Sequence, residues 1–224
     1  MWTLTVDQQS SREVGDRVPD LLAALAAGGS PLAAAAPGAV VLPFERTVGD
    51  EVQAVLADPE LAVAVALHLV RLGGWSVGIG AGRVDAPLPA SSREASGSAF
   101  IHAREAVEAA KSRARAVPLA VRGDGARAAA EAEGVLALLG AVVARRTPAG
   151  WSVVDRVAAR APGAAPRQED VAAALGISQQ AVSERLRTAL WAEELAARPA
   201  AARLLRLAAS PGHDGSVDDR EGDA

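Results

Sequence analysis

Two hydrophobic periods alternate along this chain, and each switch between them marks an element. Trp2-Thr3-Leu4-Thr5-Val6 is apolar or β-branched throughout and predicts a short buried strand ending at Asp7. Val14, Val18, Leu21, Leu22 and Leu25 then recur at helical spacing, predicting one helix from Arg12 to Ala27 that stops at Gly28-Gly29. Strands are expected over 39–44 and 51–56. Gly49-Asp50 between them reads as a hairpin turn of the I′ kind, with positive backbone angles at both positions. Asp58 and Pro59 suit the cap and first residue of a helix reaching Leu72, and Trp75 to Gly80 a fourth strand. Strand-helix-strand-strand-helix-strand is the ferredoxin-like order.

Past this unit the pattern predicts a polar loop over 87–97, a helix over 98–113 and a strand over 118–122. Helices follow over 125–145, 151–160, 168–175, 178–190 and 192–209, interrupted at Thr147-Pro148-Ala149-Gly150 and Ala161-Pro162-Gly163. The expected fold class is therefore α+β. A ferredoxin-like domain over 1–123 precedes an all-α helix-turn-helix domain over 124–209, and an acidic tail over 210–224 lacks apolar periodicity and is expected to be disordered.

The helix-turn-helix is the sharpest local signal. Where two helices cross steeply they need a small residue at the contact, which Ala172 supplies. Four residues on, Gly176 can take the left-handed conformation of a tight turn. Ile177 and Val182 pin the second helix to the first, Leu175 and Leu186 complete a small core, and Ser178 caps the second helix. Gln179, Gln180, Ser183, Glu184 and Arg187 are left facing outward, with the two glutamines at the end by which such helices approach base edges. Glutamines can hydrogen-bond adenine, and arginines can hold phosphates or guanine. Ser178, Gln179, Gln180, Ser183 and Arg187 are accordingly the candidate DNA-binding set. Trp151 and Trp191 are expected to be core or docking aromatics rather than base-stacking ones.

Composition narrows the remaining chemistry. The formal charge is −4 over 224 residues, yet from Arg156 to Arg206 there are eight arginines against five acidic residues. With no cysteine and three histidines, thiolate chemistry and soft-metal sites are excluded, so any metal would rest on carboxylates and be a hard cation such as Mg2+. The amino terminus lacks a secretory pattern and no apolar run is long enough for a membrane span, which gives a cytoplasmic expectation with no membrane partner. Gly78, Gly80 and Gly82 lack the lysine and the following helix of phosphate loops; close backbone packing on a strand accounts for them.

In a ferredoxin-like sheet strands one and three are neighbours, so Asp7 and the hairpin residue Asp50 could converge on a cation. The runs Phe44-Glu-Arg-Thr-Val-Gly-Asp-Glu-Val-Gln-Ala-Val-Leu56, Trp75-Ser-Val-Gly-Ile-Gly-Ala-Gly-Arg-Val84 and Gly97-Ser-Ala-Phe-Ile-His-Ala-Arg-Glu-Ala106 resemble the class III nucleotide cyclases. Together with Thr5-Val-Asp-Gln-Gln-Ser-Ser-Arg12 and the terminal helix-turn-helix, the chain from about Trp2 to Leu207 is similar to the SatD family. The cyclase resemblance implies Asp7 and Asp50 as metal carboxylates, and Arg46 and Arg104 as nucleotide-binding residues. It would also imply Mg2+ with a nucleotide as the ligand and a homodimer as the working form. Phe100 stands where cyclases carry asparagine, and Arg46 where they carry lysine, so the catalytic set looks incomplete and no catalytic residue is assigned. Two function classes follow. One is a DNA-binding transcriptional regulator whose amino-terminal domain senses a small molecule or nucleotide, or dimerises. The other is a nucleotide- and metal-binding or degenerate cyclase-like protein whose helix-turn-helix contacts protein.

Overall fold

The computed structural model describes residues 1–158 and 167–211. Five strands form one open mixed sheet: β1 (Trp2–Gln8), β2 (Val40–Arg46), β3 (Glu51–Leu56), β4 (Trp75–Ala81) and β5 (Leu119–Gly123), in the order β2-β3-β1-β4-β5. β1 lies between β3 and β4, antiparallel to both, while β5 adds to β4 in parallel. The helices are α1 (Ser11–Val14), α2 (Val18–Ala26), α3 (Pro59–Leu72), α4 (Ser98–Ala110), α5 (Ala126–Arg145), α6 (Pro148–Ala158), α7 (Gln168–Leu175), α8 (Gln179–Thr188) and α9 (Trp191–Ala208). The protein is thus α+β.

Strand alternation sorts the two faces. Trp2, Leu4, Val6, Val77, Ile79, Leu119 and Val121 point into the main core with side chains of α2, α3, α5 and α9. α9 is tied to this core by the Trp2 indole N–H, which donates to the Leu205 carbonyl at 2.9 Å. The other face carries Thr3, Thr5 and Asp7 of β1, opposite Gly80, Gly78 and Ser76 of β4, and lies under α4. A Cβ at Gly78 would sit 2.3 Å from the Val107 nitrogen and one at Gly80 2.0 Å from the Ala99 oxygen. The close packing expected of these glycines is therefore the seating of α4 on β4.

α6, α7 and α8 pack on one another around a separate small core of Val153, Val171, Ala172 and Val182. Arg146, between α5 and α6, joins the two cores. Its buried guanidinium donates to the Ala189 carbonyl at 2.7 Å and to Glu194 at 2.5 Å, and sits 4.4 Å from the Trp151 ring and 5.7 Å from that of Trp191. Trp151 is further covered by Arg71, 3.7 Å above its ring, which also grips Asp155 at 2.6 and 2.7 Å. Both tryptophans dock helices here, as their placement in the sequence suggests.

Three local expectations are corrected. The single helix over 12–27 is two helices, because Gly15 takes φ 77° and leaves Val14 exposed before α2 starts at Val18. Only Gly49 of the hairpin pair has positive φ (62°), so the turn is not of the I′ kind. Thr147-Pro148-Ala149-Gly150 does not interrupt the chain at length: Pro148 opens α6, a position where its missing N–H costs nothing. The expected break at Ala161-Pro162-Gly163 and the tail beyond Pro211 lie outside the described residues. Among the described residues no helix is long and apolar enough to cross a membrane.

Candidate functional site

The turn between α7 and α8 follows from a few side chains. Gly176 adopts φ 63°, ψ 34°, which lets its own N–H reach the Ala173 carbonyl and the Ile177 N–H reach that of Ala172 at 3.0 Å. These two bonds satisfy the last carbonyls of α7 and swing the chain sharply, with Ile177 and Leu175 packed on the small core. Ser178 then caps α8, its hydroxyl accepting from the Ala181 N–H at 3.1 Å. Val182 is fully buried against α6 and α7, which fixes the rotation of α8 about its axis.

That rotation decides what faces outward. Gln179, Gln180, Ser183, Glu184 and Arg187 line a shallow exposed hollow of about 360 Å³, completed by Gln168 of α7. Gln168 is a participant that the sequence reading omits: its side-chain oxygen accepts from the Ser183 hydroxyl at 2.7 Å, bracing the two helices across their outer face. Gln168 stands at the first residue of α7, and nothing local in the sequence links it to Ser183. Arg187 does not stand free. It donates to Glu184 at 2.6, 2.8 and 3.1 Å, and this pairing holds the Glu184 carboxyl below its ordinary range and the guanidinium above.

The second candidate set lies on the sheet and on α4. β1 and β3 are neighbours, and in their register Asp7 faces Glu51 rather than Asp50. Asp50 sits at the hairpin, its carbonyl accepting from the Gln8 N–H at 3.3 Å. Burial pushes the Asp7 carboxyl up; Lys111, 3.2 Å away, opposes the rise and the nearby charge of Asp50 adds to it. A lysine at the end of α4 thus occupies the carboxylate that a cation would need. Among the described residues no group of three or more His, Asp or Glu side chains could hold a metal. Asp7 is thus already paired with a cationic side chain, which a metal ion there would have to displace.

The two arginines implied for nucleotide binding engage different carboxylates. Arg46 turns toward the loop before α2, with both Asp16 oxygens within 2.7 Å of one guanidinium nitrogen, and this pairing holds Asp16 below its ordinary range. Arg104 projects from α4 to the buried Glu51, at 2.8 and 3.3 Å, where Thr47 also donates at 2.7 Å. Beside that pair is an open cavity of about 530 Å³ whose walls include Val48, Phe100, Ile101, Gln53 and Arg93. The loop after β4 closes one side, anchored where Glu45 accepts from Ser91 and Ser92. Glu51 and Lys111 are neighbours of these candidates that sequence reasoning misses. The register Asp7–Glu51 could have pointed to the first, since it follows from pairing the two predicted strands.

Compared with known proteins, the chain matches no family model, no curated protein and no solved structure.

Proposed function

We propose that this chain is a DNA-binding regulatory protein, in which α6, α7 and α8 form a helix-turn-helix unit and the amino-terminal end of α8 enters the major groove. The observation that carries this reading is the outward face of α8. A side-chain cap leaves the helix start exposed, and two glutamine amides, a serine hydroxyl and an arginine project from one surface. Glutamine offers a donor and an acceptor that match the adenine edge, and the remaining groups suit phosphates. The Gly176 turn and the small core support the same reading, because they hold α8 rigidly enough for base edges to be read.

The body is read as a ferredoxin-like, cyclase-like domain with one added strand. What supports this is the order β2-β3-β1-β4, with α2 and α3 on one face. The proposed SatD membership rests on the sequence likeness alone. In this reading the body is a ligand platform or a dimerisation unit, and the cavity beside Arg104 is where a small molecule would act. In the alternative of a cyclase-like enzyme, Lys111 on Asp7 and Asp16 on Arg46 would both have to be displaced.

The test is selection of duplexes on the full chain, followed by anisotropy titrations of the enriched sequences. Wild type should bind with an affinity that falls as salt rises, and Gln179→Ala or Gln180→Ala should weaken binding to the enriched duplex by about tenfold or more. Failure to enrich any duplex at low salt would remove the reading.

A further inference from the structure

The face of α8 assigned to DNA carries a carboxylate, which phosphates repel. Glu184 lies one turn before Arg187, and both of its oxygens are taken up by that guanidinium, Nη2 at 2.6 and 2.8 Å and Nε at 3.1 Å. Both side chains are well exposed, at 60% and 74%, so burial does not force the pairing. Among the described residues Arg187 is also the only cation lining the hollow, whose other members are Gln168, Gln179, Gln180, Ser183 and Glu184 itself. The pair therefore leaves the reading face with amides and hydroxyls and no net charge.

This has a consequence for selectivity. Phosphate contacts supply affinity that every duplex can claim, whereas base edges supply discrimination. An unpaired arginine on this face would add to binding of any sequence. Held by Glu184 through Nε and Nη2, it has only Nη1 left for a phosphate, and any such contact brings the Glu184 carboxylate up to the backbone, where it is repelled unless a base edge offers it a donor, as the cytosine amino group does.

We infer that Glu184 is a specificity-determining residue, which restrains Arg187 so that arbitrary DNA is bound weakly and discrimination passes to the neutral side chains of α8. The inference rests on the proposed DNA-binding reading and goes beyond it. Arg185, on the same helix but outside the hollow, is not part of the restraint.

The test uses the full chain as wild type, Glu184→Gln, Arg187→Gln and the double variant. Each is titrated over a series of salt concentrations against a random-sequence duplex and against the duplex enriched on wild type. Glu184→Gln should raise affinity for the random duplex several-fold and steepen its dependence of log K on log salt by about 0.9. The ratio of enriched to random affinity should fall. The double variant, with the charge balance restored, should return to wild-type affinity for the random duplex. An unchanged ratio in Glu184→Gln, with wild type binding its enriched duplex, overturns the inference and leaves the DNA reading standing. Absence of salt-dependent binding by wild type overturns both.

Discussion

Arg146 and Glu194 meet at 2.5 Å with both side chains fully buried, 48 residues apart in sequence. Glu194 also accepts from Arg198 of the next turn of α9, and Arg146 from its other side faces two tryptophan rings. This junction is where the three-helix unit is fixed to the body of the protein.

Removing Arg146 leaves the buried Glu194 carboxylate only the partly exposed Arg198 as a partner, and breaking a buried pair costs far more than the pair contributes. Arg146→Ala should therefore lower stability by about 3–5 kcal/mol in urea unfolding. Arg198→Ala should cost well under half as much, because Arg198 is partly exposed and Arg146 still satisfies the carboxylate. Equal losses in the two variants would show that Glu194 does not depend on Arg146.

α4 reaches β4 only because two strand positions have no side chain. Gly80→Ala would place a methyl group 2.0 Å from the Ala99 oxygen, a backbone atom that cannot turn aside. A loss of about 1–3 kcal/mol in thermal unfolding is expected, as for overpacking a filled core. Gly134→Ala, at an exposed helical position with nothing nearby, should be neutral or slightly stabilising. Equal behaviour of the two variants would contradict the packing described.

Glu133 of α5 ties down the end of the sheet by accepting from the Val121 N–H at 2.9 Å, Arg115 at 2.7 Å and Arg122 at 2.8 Å. Burial is the largest single influence and pushes its carboxyl up, but the hydrogen bonds together hold it below the ordinary glutamate range. Its stabilising contribution is then complete above that range and is lost as pH falls through the depressed folded value. Glu133→Gln should cost about 1–3 kcal/mol at neutral pH and flatten the acid limb of the stability curve, measured by urea titrations at several pH values. A variant whose acid limb parallels wild type would rule this out.

Much of the helix pair is legible from sequence because its determinants are local. Ala172, Gly176, Ser178 and Val182 lie within a short stretch, and cap, turn and core contact follow from spacing alone. The strands themselves are legible for a related reason, since alternation and turn residues repeat over short windows. Three relationships are not readable in this way. Lys111 on Asp7, Asp16 on Arg46 and Arg146 on Glu194 are ion pairs between distant positions, set by strand register and helix seating, to which periodicity is blind. Gly15 and Pro19 both stand inside the expected helix over 12–27 and mark its break. Apolar spacing hides the break because it counts Val14, which is exposed.

The cap of α8 offers a separate check on the helix pair. Ser178→Ala removes the acceptor of the Ala181 N–H and should destabilise the three-helix unit by about 1 kcal/mol. Gly176→Ala forces a Cβ into the left-handed region at φ 63° and should cost about 1–2 kcal/mol. Hydrogen exchange should localise both losses to α7 and α8, with the amides of the sheet unaffected. Loss spread evenly over the sheet would mean that the unit does not open independently.

The central claim is that α8 meets DNA, and amide chemical-shift mapping of the full labelled chain against its selected duplex tests it most directly. Shifts concentrated on Gln168 and on Ser178 to Arg187, with β1 to β5 silent, are the predicted result. Shifts confined to the cavity around Arg104, or none at all at low salt, would contradict it.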